Sequence, residues 1–131
     1  MHEVLQPESW AKPAGYSNGI AASGRMVFVG GQVGWNAQKQ FESDDLVAQT
    51  AQTLRNVVAV VAEAGGRPEH IVSMTWYLTD KAEYLANLKE IGQAWREIIG
   101  RNFPAIAAVG VTALIEDRAK VEIQAIAVIP G

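Results

Sequence analysis

The chain has 131 residues, 49% of them apolar and 19% charged, with a net charge of −3; this suits one globular domain over residues 1–131 and excludes disorder or low complexity. Lysine and arginine are scattered singly, so no basic stripe marks a nucleic-acid partner, and no apolar run nears the roughly 18–20 residues that span a bilayer. The absence of cysteine excludes disulfides and thiolate chemistry, and with only His2 and His70 no metal site is expected.

The first residues lack a basic stretch followed by an apolar one, so a cytoplasmic location is expected. Up to Gly15 the chain reads as an irregular arm, punctuated by Pro7 and Pro13. Two β-prone runs follow, Gly19–Ala22 and Met26–Val29. They flank Ser23-Gly24-Arg25, and a glycine there predicts a hairpin. Ser43, Asp44 and Asp45 put a cap candidate and negative charge before Leu46, Thr50, Leu54, Val57, Val58 and Val61. That spacing predicts a helix, stopped by Gly65-Gly66. From Ile71 to Thr79 the apolar residues Val72, Met74, Trp76 and Leu78 alternate with Ser73, Thr75 and Tyr77, predicting a half-buried strand. Asp80 and Glu83 resemble a capping box ahead of Tyr84, Leu88, Ile91, Trp95 and Ile98, predicting a second helix that ends near Gly100. A small apolar run, Pro104–Thr112, leads through a turn at Glu116-Asp117-Arg118 to a last strand, Lys120–Ile129. There Val121, Ile123, Ala125, Ala127 and Ile129 share one side, and Glu122 and Gln124 the other.

The expected fold is α/β (α+β), in the order β-β-α-β-α-β-β, with helices on one face of a mixed sheet. The other face would carry Ala, Val and Ile, and burying it calls for a homo-oligomer with clefts between subunits.

Gly30-Gly31-Gln32-Val33-Gly34 has neither the Lys-Ser/Thr nor the following helix of a phosphate loop. Glycine there lets a strand bulge or lets a small ligand approach. Glu122, an acid in an apolar strand, must be solvated, paired with Lys120 or Arg118, or used as a general acid or base. His70 reads as a surface residue. Trp76, Trp95, Tyr84 and Phe28 read as core or interface anchors, Trp10 and Trp35 as residues that could line a pocket mouth, and Arg101-Asn102 as a solvated loop or an anion site.

Pro13-Ala14-Gly15-Tyr16-Ser17, Val27-Phe28-Val29-Gly30-Gly31-Gln32, Gln52-Thr53-Leu54-Arg55-Asn56, Phe103-Pro104-Ala105 and Val121-Glu122-Ile123-Gln124-Ala125-Ile126-Ala127 resemble, in order, blocks of the RidA/YjgF reactive-intermediate deaminase family. The resemblance spans nearly the whole chain. It implies a chorismate-mutase-like homotrimer with small-molecule ligands in inter-subunit clefts, no metal or organic cofactor, and hydrolysis of an enamine or imine. Carried over by position, it implies a catalytic role for Glu122, which would orient water, and for Tyr16. Asn87, Gly30, Gly31, Ile106 and Ala108 would shape the substrate site. Where the family carries a carboxylate-binding arginine after Pro-Ala, this chain has Ile106, so simple α-imino acids are expected to bind poorly. A non-catalytic ligand-binding or protein-interacting trimer is the alternative, and a ribonuclease role is disfavoured by the acidic charge.

Overall fold

A computed structural model describes residues 2–131; Met1 lies outside them. Nine elements follow in order: β1 (Glu3–Leu5), β2 (Gly19–Ala21), β3 (Arg25–Val33), α1 (Leu46–Glu63), β4 (Ile71–Leu78), α2 (Lys81–Ala86), α3 (Leu88–Ile98), β5 (Ala105–Gly110) and β6 (Val121–Ile129). The main sheet has the order β3-β6-β4-β5. β6 runs antiparallel to both β3 and β4, and β5 lies parallel to β4. The parallel pair has to be joined by a crossover, and α2 and α3 supply it.

α1 forms where its local chemistry directs. The Asp45 carboxylate accepts from the Ala48 N–H at 2.9 Å, and Gly65 takes a positive φ of 82° while the Gly66 N–H closes back on the Val61 carbonyl. Its apolar stripe of Leu46, Leu54, Val57 and Val61 is fully buried against β3 and β6. Two threonines on the same helix, Thr50 and Thr53, are also buried; each hydroxyl donates to the carbonyl four residues back, so neither is left unpaired. The core continues through Met74, Trp76 and Leu78 of β4 and Val121, Ile123, Ala125 and Ala127 of β6, each worth roughly 1.5–3 kcal/mol for the larger apolar side chains.

Five expectations need correction. Gly19–Ala22 and Met26–Val29 do not form a hairpin with each other: β2 pairs with β1, and β3 pairs with β6. Gly24 lies so close to the Ile129 carbonyl that no side chain fits, so the glycine serves the approach of β6. The N-terminal arm therefore contains a strand. The predicted second helix is broken at Asn87, whose φ of −119° is not helical; α2 ends and α3 begins there. Asp80 caps α2 through the Glu83 N–H at 3.0 Å, but the Glu83 carboxylate reaches Lys120 at 3.0 Å instead of completing a capping box. His70 is buried, not superficial, because its Nδ1 accepts the Arg67 N–H at 2.9 Å and stabilises the 3-10 turn Pro68–His70 ahead of β4.

α1 and α3 pack together over one face of the sheet. The opposite face carries Met26 and Phe28 of β3, 55% and 69% exposed, and Val109 of β5 at 42%. No helix among the described residues is long and apolar enough to cross a membrane.

Candidate functional site

A cleft of about 610 Å³ opens between the β4–β5 edge of the sheet and helices α2 and α3. Strand periodicity chooses its floor: Ile106 is paired with Met74 and Ala108 with Trp76, so both β5 side chains fall on the helix-covered face. α3 chooses one wall, since Leu88, Ile91 and Trp95 repeat at helical spacing and Gly92 leaves a gap among them. The segment before β2 closes the third side. Ser17 donates its N–H to the Pro104 carbonyl at 3.0 Å and its hydroxyl to Phe103 O, and it bridges to Ala105; Tyr16 is thereby held at the rim, 41% exposed.

The lining is aromatic. Trp76 meets Tyr84 edge-on at 6.3 Å and Trp95 at 6.2 Å, and Trp95 stacks on Phe103 at 6.5 Å with 11° between the planes. Trp95 is held by its indole N–H, which donates to the Asn102 carbonyl, while Trp76 Nε1 is buried with no hydrogen-bond partner among the described residues. Burial pushes the Tyr84 phenol above its ordinary pKa, the mark of a poorly hydrated wall.

The sequence-derived residues divide between two places. Tyr16, Ile106 and Ala108 share the cleft. Glu122 does not enter it, because it pairs with Tyr77 and therefore points to the open face of the sheet. There it lies against Gly31, where any side chain would collide with its carboxylate. Gly30 and Gly31 sit at the β-bulge where the β3–β6 register shifts, and Gly30 is exposed. Glu122 has neither of the partners considered for it: Lys120 pairs with Glu83 and Arg118 with Asp44 at 2.8 Å. Asn87 is at the α2–α3 break, where its side-chain N–H donates to the Glu83 carbonyl at 2.8 Å, and it does not line the cleft.

Neither loop tryptophan reaches the cleft. Trp35 packs on Phe41, and Trp10 stands exposed. Asn102 spends its amide on the Pro68 and Ile71 carbonyls. Sequence reasoning missed Arg96 and Gly92, which line the cleft from α3; the available signal was a glycine inside a helix, one turn before an arginine on the same face.

The endoribonuclease L-PSP family profile matches residues 8–129. A RutC family protein of Pyrococcus horikoshii is 34% identical over 129 residues, covering 97% of this chain and 98% of the relative. The 2-iminobutanoate/2-iminopropanoate deaminase of Escherichia coli is 34% identical over 105 residues, 80% of each chain. Among solved structures, a protein of the Rid family from Yersinia pestis superimposes with a TM-score of 0.86 at 33% identity, covering 98% of both chains. With the fold matched end to end and the profile spanning nearly every residue, the chain belongs to the endoribonuclease L-PSP family, that of the RidA/YjgF proteins.

Proposed function

We propose that this protein hydrolyses the C=N bond of a reactive imine, or of the enamine that tautomerises to it, in clefts formed between copies of the chain in a homotrimer. The observation that carries the reading is the division of the site residues across the sheet. Ile106 and Ala108 face the helices while Glu122 and Gly31 face the open side, so one crevice can hold both sets only where the open face of one copy meets the cleft rim of another. The exposed Met26, Phe28 and Val109 on that open face are the apolar surface such contact would bury. The activity named for the Escherichia coli relative supports the reaction class.

In this reading Glu122 holds a water for addition to the imine carbon. Oxygen bonds to carbon, protons pass to nitrogen, the C–N bond breaks, and a carbonyl compound and ammonia leave. Tyr16 closes the rim over the substrate, Asn87 supports the wall, and Ile106 with Gly30 gives an apolar floor. Because position 106 supplies no cation, a substrate bearing its carboxylate on the reacting carbon is held poorly. That same replacement favours one second reading, a trimer that binds a ligand without turning it over.

The test is a flavin amine oxidase acting on primary amines, which releases imines of varied side chain without a carboxylate on the reacting carbon, with semicarbazide trapping what remains. Added protein is expected to lower the trapped imine for at least one apolar side chain, and Glu122→Gln to abolish that effect while assembly persists. Undiminished turnover in the variant removes Glu122 from the mechanism; no acceleration with any side chain selects the binding role.

A further inference from the structure

The cleft contains one charged side chain among its described lining residues, and it comes from neither β5 nor the Arg101 loop. Arg96 rises from the last turns of α3, and one of its guanidinium nitrogens lies over Gly92, 3.9 Å from where a Cβ on that glycine would stand. None of the ion pairs among the described residues involves Arg96. Glycine in a helix interior is unfavourable, so an α3 that carries one at the cleft face, between Ile91 and Trp95, gives up helix stability for open space. The cleft it opens on is lined by rings in mutual contact: Trp95 is stacked on Phe103 and tilted against Trp76, which meets Tyr84 edge-on. Trp76 Nε1, buried and without an acceptor among the described residues, is a second polar group in this wall.

We infer that the cleft takes a planar, ring-bearing small molecule carrying one carboxylate, its ring lodged against the aromatic wall over Gly92 and its carboxylate held at the rim by Arg96. This rests on reading the cleft as the substrate site and names the substrate class. A carboxylate on the reacting carbon would face Ile106, whereas one set at the far side of a ring reaches Arg96. The cleft volume of about 610 Å³ falls within the range that small-molecule sites occupy. Gly92 and Arg96 are specificity residues of one device, the first making room for the ring and the second selecting its charge.

The experiment measures binding at equilibrium and needs no turnover. Calorimetric titration with 3-phenylpropanoate, its primary amide and propanoate is run on the wild type, Arg96→Gln and Gly92→Ala, each checked by circular dichroism. The wild type is expected to bind the aromatic acid about 5- to 10-fold more tightly than the amide, a preference limited by the solvent around an exposed guanidinium, and to bind propanoate weakest. Arg96→Gln should erase the acid preference and keep amide binding. Gly92→Ala, which favours the helix and meets only ordinary contact with Arg96, should fold at least as well and weaken acid and amide alike by several-fold. Equal binding of acid and amide by the wild type overturns the inference, as does an acid preference surviving in Arg96→Gln or no binding of either aromatic compound. An acid preference without imine hydrolysis removes the deaminase reading and leaves this one standing. Hydrolysis without an acid preference does the reverse.

Discussion

β4 presents two chemistries on alternate residues. Met74, Trp76 and Leu78 are sealed under the helices and extend into the cleft, while Ser73, Thr75 and Tyr77 look out onto a face where Phe28 and Met26 stand largely bare. The covered face is finished within one chain apart from the cleft: its side chains interlock, and the buried hydroxyls of Thr50 and Thr53 have partners, whereas Trp76 Nε1 has none among the described residues. The open face has a hydrogen bond from the Tyr77 hydroxyl to Gln124 and, among the described residues, an acid without a cation and an apolar surface that nothing covers. The contrast teaches that stability and the ring-lined cleft belong to one strand parity, and the exposed apolar surface to the other.

The largest expected effect comes from the finished side. Leu54→Ala removes a side chain with no exposed surface from the heart of α1 and should cost about 2–5 kcal/mol in urea unfolding. A loss below 1 kcal/mol would mean that the covered face is loosely packed. On the open side, Phe28→Glu should leave the protomer's circular dichroism unchanged and release single chains in sedimentation, since a charge cannot be buried against a second apolar face. A variant that sediments with the wild type, whatever that mass, breaks the assignment of this face to assembly.

A smaller effect is expected at Gly31, against which the Glu122 carboxylate rests. Gly31→Ala should push the Glu122 carboxylate aside without disturbing the core, lowering imine hydrolysis by about 10- to 100-fold at an unchanged melting temperature. Full activity would separate Glu122 from the reaction. The smallest concerns Tyr84. Its phenol is raised from 10.0 by burial, so the folded chain holds that proton more firmly than the unfolded one. The associated stability is complete below the unfolded pKa and declines as pH climbs through the folded value. Tyr84→Phe should flatten that alkaline decline in urea midpoints measured above about pH 10, and an equally steep decline would place Tyr84 in water.

Much of this architecture is written in local signals. Asp45 and Gly65 bracket α1 because capping and left-handed backbone are short-range physics, and the alternation in β6 follows from a period of two. Pairing was less legible. Nothing local to Gly24 says that its neighbour is Ile129, over a hundred residues onward, and a turn-forming glycine looks the same as one that admits a strand. The Asn87 break lay hidden in an unbroken apolar stripe, since Tyr84, Leu88 and Ile91 keep their spacing across it. At the site, Tyr16, Ile106 and Ala108 came together in one cleft, yet Glu122 fell on the other side of the sheet. That outcome depends on the register between β4 and β6, which joins Met74 to Ala125 and Tyr77 to Glu122 and is set by tertiary pairing alone. Arg96 was overlooked because an arginine near a helix end is ordinarily a solvated one.

The strand that forms last in the chain occupies an inner position of the sheet. β6 separates β3 from β4, so until residues 121–129 have left the ribosome β3 has no strand of this sheet to pair with, β4 has only β5, and α1 has no complete surface to settle on. The growing polypeptide must therefore keep these apolar stripes unsealed, in reach of chaperones, until residues 121–129 emerge, and close its core when that strand slots in between its two neighbours.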